Sequence, residues 1–519
     1  MRLLKINDTF VDIDEKTAIG IDFQKYDIKE PSVRKMSVSN TFSIPKTDKN
    51  ILLFDFADNP QSISTSIYDK YTVNYWVDNY HLIKDGRLRI DEISDRIKFY
   101  VVEKKDFWEE LKDYKYIDFL YDYTEWLRTS KGEYFYYFGA DDGFVGTFSE
   151  FMDRYVDNTS QNHFIYPYYF GEYFLNDSIY EYDDEENLAA NGGRFCTYVK
   201  YIFQFLQSKY DVDFLLTSAD ETIIWNDEYV DDLYVPLRDI GISYSSLSKW
   251  YLSIRRRVID GVVSQAVLER KDKSMYDFVK TFIQKFNIII DDYTEDDVYY
   301  IEMRRFDDIK TKADVVDFSG NLVLDKIVMK PYIKGFEQKN RILYENVYPE
   351  GDEFLGAKII TCNNKNSEKT KDLFKIDDYY PNVLINSDSE SVVSLRPEES
   401  YDSWVFMIST ELTTSYININ LETKDDTYTC SKKLMIAAIY GLDGEYKFIE
   451  EILSYPKMYE IYKWLSLKDV LNLDFFKQYF IKELGGSFFI NKISGFNPEK
   501  TNKPTKIELV KISNKTPYE

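Results

Sequence analysis

The sequence predicts a β-rich α+β fold, built from several antiparallel barrel or sandwich domains with a few packed helices. Three observations predict it. Period-2 alternation of strand-type residues opens the chain and dominates its last third. Helices are few, with helical spacing in the middle of the chain and one further short helix expected near its end. The chain has 519 residues, enough for about three or four domains at roughly 150 residues each. We divide it into an N-terminal β domain over 1–105, an aromatic and acidic insertion or projecting subdomain over 106–190, two helix–strand units over 191–325, and a C-terminal β-rich domain over 326–519.

The opening reads as a hairpin, with Leu3–Ile6 and Phe10–Ile13 flanking Asn7-Asp8, a pair that tolerates tight-turn backbone. A second extended region runs from Ser37 to Ile44 and stops at Pro45, which limits pairing. Tyr71, Val73, Tyr75 and Val77 alternate, and Lys84-Asp85-Gly86-Arg87 reads as the turn before Leu88 and Ile90. From 106 to 191 the pattern loosens around Tyr134–Phe138, Tyr166–Phe170 and the acidic run Asp183–Glu186. Aromatic clusters of this kind stack on sugars, pack against another protein, or simply fill a core.

Two helix-then-strand units follow. Phe195, Val199, Ile202, Phe203 and Leu206 fall at helical spacing before Tyr210–Phe214; Phe278, Val279, Phe282, Ile283 and Phe286 do so before Asn287–Ile290, with Ser274 as the cap. The two look like a duplicated unit. The carboxylates of Asp291–Asp297 lack the calcium-loop pattern, so this is expected to be a solvated hairpin tip before a strand over Val298–Phe306. Further strands are expected near Leu322–Met329, Val405–Ile408, Tyr416–Leu421 and Lys433–Tyr440. A turn is expected at Leu442–Glu445 and a helix over Leu467–Ile481.

Composition excludes several classes. The 65 basic and 90 acidic residues give a net charge of −25, too acidic for nucleic-acid binding by bulk charge. Tyr 46, Phe 36 and Trp 7 make the chain too aromatic to be disordered, and Gly 20 and Pro 13 are too few for a fibrous repeat. His81 and His163 lie far apart, and Cys196, Cys362 and Cys430 form no metal-ligand spacing, so neither a metal nor a cofactor is expected. Cys196 reads as a core cysteine on an apolar helix. Phosphate-binding glycine motifs and the nucleophile elbow are absent. Met1–Asp8 has no apolar stretch of signal length and no window reaches the ~20 apolar residues of a membrane span. A soluble protein without an export signal is therefore expected.

The segment Met36–Asn50 resembles the N-terminal signature of tail or baseplate hub proteins of Bacteroidetes phages, including crAss-like phages. The matching residues are Ser39, Thr41, Phe42, Ile44, Pro45, Thr47 and Asn50. Two later runs resemble the same family. Asp317-Phe318-Ser319-Gly320-Asn321-Leu322 has Phe318 where the family has tryptophan. Phe336–Tyr344 shares Gln338, Lys339, Asn340 and the closing Tyr344, with Phe336-Glu337 in place of tyrosine-alanine.

The resemblance implies tail-tube-like β domains and a structural role: a tail hub ring around the DNA-ejection channel, joining the connector to distal tail parts. The implied partners are other copies of the chain and other tail, connector or portal-ring proteins, with DNA passing unbound. The implied place is the virion tail, after synthesis in the bacterial host cytoplasm. The matched residues would shape the fold and subunit seams rather than do chemistry, and no catalytic residue is predicted. Arg255-Arg256-Arg257, the one dense basic run, together with Tyr136 and Tyr168, are the expected interface residues.

Two other readings remain open. The aromatic segment near Tyr134–Tyr182 fits a receptor- or glycan-binding tail module. Glu109 and Glu110 beside Trp108, or Glu125 beside Trp126, fit a glycan hydrolase acid in an apolar wall.

Overall fold

The computed structural model describes residues 2–24, 26–32, 38–61, 63–102, 106–130, 164–165, 180–182, 188–190, 196–216, 233–236, 240–245, 249–254, 258–259, 262–263, 273–295, 298–311, 314–331, 333–346, 357–363, 369–379, 407–422, 427–439, 446–500 and 502–513. The N-terminal elements are β1 (Arg2–Ile6), β2 (Thr9–Phe10), β3 (Ile21–Phe23), β4 (Val38–Ser39), β5 (Phe42–Pro45), α1 (Asp48–Leu52), β6 (Thr72–Val77), β7 (Tyr80–Ile93) and β8 (Arg96–Val102). The middle holds α2 (Asp106–Asp113), α3 (Tyr116–Ser130), α4 (Val199–Tyr210), β9 (Val212–Leu216), α5 (Met275–Lys285), β10 (Ile288–Glu295), β11 (Val298–Arg305) and α6 (Phe306–Thr311). Then come β12 (Val315–Asp317), β13 (Val328–Lys330), β14 (Lys339–Asn346), β15 (Ala357–Thr361), β16 (Thr370–Tyr379), β17 (Met407–Glu422), β18 (Thr427–Ile439) and α7 (Lys447–Ser454). The last are β19 (Met458–Lys463), α8 (Leu467–Leu471), β20 (Gln478–Ile481), β21 (Gly486–Phe496) and β22 (Thr505–Ser513). The fold is strand-rich α+β, with several largely antiparallel sheets and a few helices.

The main sheet has 14 strands and joins both ends of the chain, in the order β2-β1-β6-β7-β8-β4-β3-β21-β22-β19-β13. β5 pairs with β8, and β20 links β12 to β21. The crossover from N-terminal to C-terminal strands is β3 against β21, through Ile21↔Phe496 and Phe23↔Ile493. Side chains reinforce it. Asp22 accepts from the Gly495 amide at 2.6 Å and pairs with Lys492 at 3.0 Å. Glu499 accepts from Arg2 and from the Tyr75 hydroxyl, both at 2.8 Å.

Burial explains this arrangement. The alternating β5, β6 and β8 put Phe42, Ile44, Val73, Tyr75, Ile97 and Phe99 into one core, while their intervening residues face outward. β21 does not alternate: Gly486–Ile490 is a run of buried residues. Phe488 and Ile490 enter one core with Ile461, Tyr479 and Leu509, whereas Phe489 enters another with Tyr26, Phe306, Phe448 and Val510. A strand covered on both faces needs such a continuous apolar run.

The first helix–strand units form as their spacing predicts. α4 leads into β9 through Asp211 and α5 into β10 through Asn287, both left-handed (φ 51° and 50°). β9 and β10 then flank β11, parallel and antiparallel to it. α5 opens with a Ser274–Asp277 capping box. Residues 106–130 are helical and turn Phe107, Trp108, Leu111, Phe119 and Tyr123 inward, with Phe119 and Tyr123 packed edge-on to Phe205 of α4.

Several local expectations are corrected. Residues 84–87 are not a turn, because β7 runs through them. The turn is Asp78-Asn79, both left-handed, as a two-residue hairpin requires. Asp85 (φ 52°) instead marks a bulge, where the Asn74 side chain accepts its amide at 2.9 Å. Gly86 is required there, since a Cβ would lie 2.4 Å from the Val101 side chain. Cys196 sits in a short strand, Cys196–Tyr198, before α4 rather than on it. β17 and β18 merge three expected strands into one long antiparallel pair that reaches Glu422↔Thr427. The turn expected at Leu442–Glu445 lies outside the described residues. The helix expected over 467–481 ends at Leu471, and the aromatic run Gln478–Ile481 pairs as β20.

Two tests follow. Phe42 is buried and packs edge-on to Phe99 with ring centroids 4.5 Å apart, so Phe42→Ala should cost about 3–5 kcal/mol in denaturant unfolding. Arg96 donates to both Asp14 oxygens, at 2.6 and 2.8 Å, and holds that carboxyl well below the usual carboxylate range. The pair therefore stabilises the fold above the unfolded carboxylate value near ~4, and its contribution fades as pH falls through the lower folded value. Asp14→Asn should lower stability at pH 7 and flatten the loss of stability below about pH 4 in unfolding titrations.

Candidate functional site

The resemblance-bearing residues come first, because the sequence singled them out. Along Thr41–Pro45 the strand period exposes Thr41 and buries Phe42 and Ile44, while Pro45 ends β5 opposite Arg96. Thr47 caps α1, which places Asn50 fully inside. Its amide nitrogen donates to the carbonyls of Asp12 (2.9 Å) and Pro45 (2.8 Å), and its oxygen accepts from the Asp12 amide (2.9 Å). One buried amide thus stitches the end of β5 to the Asp12 segment, which satisfies groups costly to bury alone.

The second motif makes a cradle. Asp317 accepts from the Ser319 amide at 2.9 Å, and hydrogen bonding from the Ser319 side chain, then from this amide, lowers the Asp317 carboxyl below its ordinary value. Gly320 (φ 78°) and Asn321 (φ 53°) then bend the chain so that consecutive carbonyls converge. Into them points Lys463, the buried last residue of β19. Its ammonium donates to the carbonyls of Phe318 at 2.8 Å, Ser319 at 3.3 Å and Gly320 at 2.5 Å. It also lies 4.4 Å from the centre of the Phe318 ring, a cation–π contact. Burial pushes the Lys463 ammonium below its ordinary value. The sequence reading missed Lys463. Its signal was phase: Ile461, Lys463 and Leu465 alternate onto the core face, so a lysine there must find acceptors inside.

The third run behaves like the first. Asn340 is fully buried in β14, where it donates to the carbonyls of Glu337 (2.7 Å) and Ile360 (3.2 Å) and accepts from the Glu337 amide (2.8 Å). The Gln338 carbonyl accepts from the Cys362 amide at 2.8 Å. Tyr344 belongs to the same strand. The structure does not gather the three runs into one pocket: the first lies in the N-terminal core, while Phe318 and Phe336 enter two further cores.

The carboxylates beside tryptophan are arranged differently from the expectation. On α2 successive residues turn about 100°, so Trp108 faces the core while Glu109 and Glu110 face solvent. Trp108 donates to buried Asp292 at 3.3 Å, and the Tyr299 hydroxyl donates to the same oxygen at 2.5 Å. Glu109 pairs with Arg87 at 2.5 Å. An open cleft of about 320 Å³ lies between these residues and β6–β7, lined by Lys70, Tyr71, Thr72, Arg87, Glu110 and Asp113 among others. It is polar and holds both charges, and it brings no acid into an apolar wall. The side chain of Glu125 lies outside the described residues, as do Arg255, Arg256, Arg257, Tyr136, Tyr168 and His163. His81 stacks on Trp76 (4.4 Å) and meets the Asn74 oxygen at 2.9 Å. Among the described residues no three His, Cys, Asp or Glu side chains converge as a metal group, and no helix is long and apolar enough to cross a membrane.

The cradle gives a direct test. Lys463→Met keeps the apolar stem but leaves three buried carbonyls without their donor. Denaturant unfolding should show a loss of about 1–3 kcal/mol. A Lys463→Met protein as stable as the parent would show that the carbonyls find other partners.

Comparison with known proteins finds no matching family model and no curated protein that matches the sequence. Among solved structures, the chain is similar to a 43 kDa tail protein of prophage MuSo2 from Shewanella oneidensis, with a TM-score of 0.37, 8% identity and 98% and 97% of the two chains covered. It is also similar to prophage tail protein gp18 from Listeria monocytogenes EGD-e, with a TM-score of 0.29, 6% identity and 98% and 94% covered.

Proposed function

We propose that this chain is a structural component of a phage tail, of the hub kind found in Bacteroidetes phages including crAss-like phages. In this reading, copies of the chain form a ring around the DNA-ejection channel and join the connector to distal tail parts. The observation that carries it is the use made of the resemblance-bearing residues. Asn50, Asn340 and the Asp317–Asn321 cradle spend their polar atoms on backbone of their own chain, and Phe42, Ile44 and Phe318 fill cores. Residues that recur for such reasons mark a shared scaffold, not shared chemistry.

Charge adds a second, independent support. Residues 1–102 hold 15 Lys/Arg and 16 Asp/Glu, a net −1, and residues 446–519 hold 12 and 9, a net +3. The stretch 103–445 holds 38 and 65, a net −27. The two terminal segments, which supply twelve of the 14 strands of the main sheet, are thus nearly neutral together, and the surplus carboxylates belong to the stretch between them. In a ring, that stretch is the part suited to face DNA, since a duplex held by few cations passes without counterion-release affinity.

Electron microscopy of the purified protein and of virions tests this. The expected result is a closed ring and a matching density in the tail. A stable monomer absent from virions would overturn the proposal. In parallel, duplex DNA should show no retention by the ring at about 0.15 M salt, where the Debye length is roughly 8 Å.

A further inference from the structure

The sheet body carries two exposed apolar patches, one on each half. The first lies on the loop between α1 and β6. Leu52, Phe56, Ile63 (98% exposed) and Tyr68 (81% exposed) all face solvent within 17 residues. The loop is nonetheless ordered by its own hydrogen bonds. Phe56 donates its amide to Ile51, Ala57 to Phe54, Asn59 to Phe56, and the Ser66 hydroxyl to Phe54. Phe54 anchors it, packed edge-on to Tyr71 in the N-terminal core. Asp55 and Phe56 are both left-handed (φ 51° and 52°). A phenylalanine in that conformation is strained, and here the strain turns its ring outward.

The second patch lies at one end of the sheet. β13 is the terminal strand, paired only with β19. Val328, Met329 and the preceding Leu324 (63% exposed) face solvent beside it. Charge distinguishes the two patches. Residues 48–69 hold Asp48, Asp55, Asp58 and Asp69 against Lys49, a net −3. Residues 324–334 hold Lys326, Lys330 and Lys334 against Asp325; with Lys330 already paired to Glu460 of β19, a net +1 is left.

We propose that the 52–68 loop of one copy docks on the Leu324–Met329 edge of the next copy. The occupant is a second copy of this chain because the two patches expose apolar side chains and are opposite in charge around them. Patches that differ make a heterologous contact, which propagates head to tail and closes when the rotation allows. Apolar centres with charged rims are the ordinary anatomy of such a seam. This inference rests on the ring reading and names the surfaces that build the ring. The sheet edge itself is short and ends at Pro331, which blocks further strand pairing, so side chains rather than a β ladder carry the contact.

The test uses the full chain with two single variants, Ile63→Glu and Met329→Glu, sized by analytical ultracentrifugation. Each variant alone should lose the ring while keeping the parent's far-UV and near-UV circular dichroism, which separates lost assembly from lost fold. An equimolar mixture should give dimers and nothing larger, because one intact loop meets one intact edge and both remaining surfaces are spoiled. If either variant keeps the ring, the seam is wrong and the ring reading stands. A mixture that stays monomeric, or that restores full rings, also overturns the seam. A parent protein that is monomeric at every concentration overturns the ring and the seam together. Should a variant fail to fold, Ile63→Cys with Met329→Cys in the otherwise native chain replaces it. A thiol-specific cross-linker should then join position 63 to position 329 between copies, and its failure to do so in an intact ring would sink the seam.

Discussion

A sheet that is covered on both faces leaves no water for its strand ends, and most of the structure answers to that constraint. β21 is the strand in question, with Phe488 and Phe489 pointing into different cores. Its neighbours come from positions as distant as Ile21 and Val510. Wherever the chain enters or leaves this body, the backbone needs partners that no ladder supplies. Buried side chains supply them. Lys463 serves the carbonyls of 318–320, Asn50 those of Asp12 and Pro45, and Asn340 that of Glu337. At the central crossing, Tyr26 donates to Asn287 at 2.7 Å, and Tyr446 donates to the Gln284 carbonyl. Such ties hold the fold in one arrangement, since breaking any of them strands a buried polar group.

The same constraint explains how a glycine-poor chain turns. Asn7, Asp78, Asn79, Asp85, Asp211, Asn287 and Asn321 all take the left-handed conformation that glycine ordinarily fills. Asn and Asp tolerate it because their short side chains hydrogen-bond locally. The scarcity of glycine, 20 in 519, is therefore not a scarcity of turns. It shifts the turn signal onto residues that also occur in strands and caps.

That shift sets what was legible. The first hairpin was readable from Asn7-Asp8 and both helix–strand units from apolar period, but Asp211 and Asn287, expected within the strands, are the left-handed residues that end the helices. The hairpin after β6 was misplaced because Asp85-Gly86 is the stronger turn pair by residue type. The close Val101 side chain makes that glycine a packing requirement instead. Helix α8 ends early because Gln478–Ile481 is claimed by strands on both sides, which no local propensity records. Of the candidate residues, burial of Phe42 and Ile44 followed from alternation, but the roles of Asn50 and Asn340 did not. Each depends on a carbonyl brought near by folding, and a sequence window contains only one partner.

The aromatic surplus takes on a different meaning from the one the composition first suggests. Large numbers of Tyr and Phe are expected at subunit contacts. Yet in the described residues they chiefly pack against each other within one chain. Phe107 touches Trp108, Tyr210 and Phe214, and Phe203 continues the chain of rings to Phe214 and Phe282. Edge-to-face contacts of this kind add to burial and fix ring orientation, so they set the angle at which α2, α4 and α5 meet β9. Aromatic content is thus spent on the interior of the helical layer. The sheet body, by contrast, leaves apolar side chains such as Phe10, Ile63, Tyr68, Leu324 and Tyr455 exposed, outside its cores.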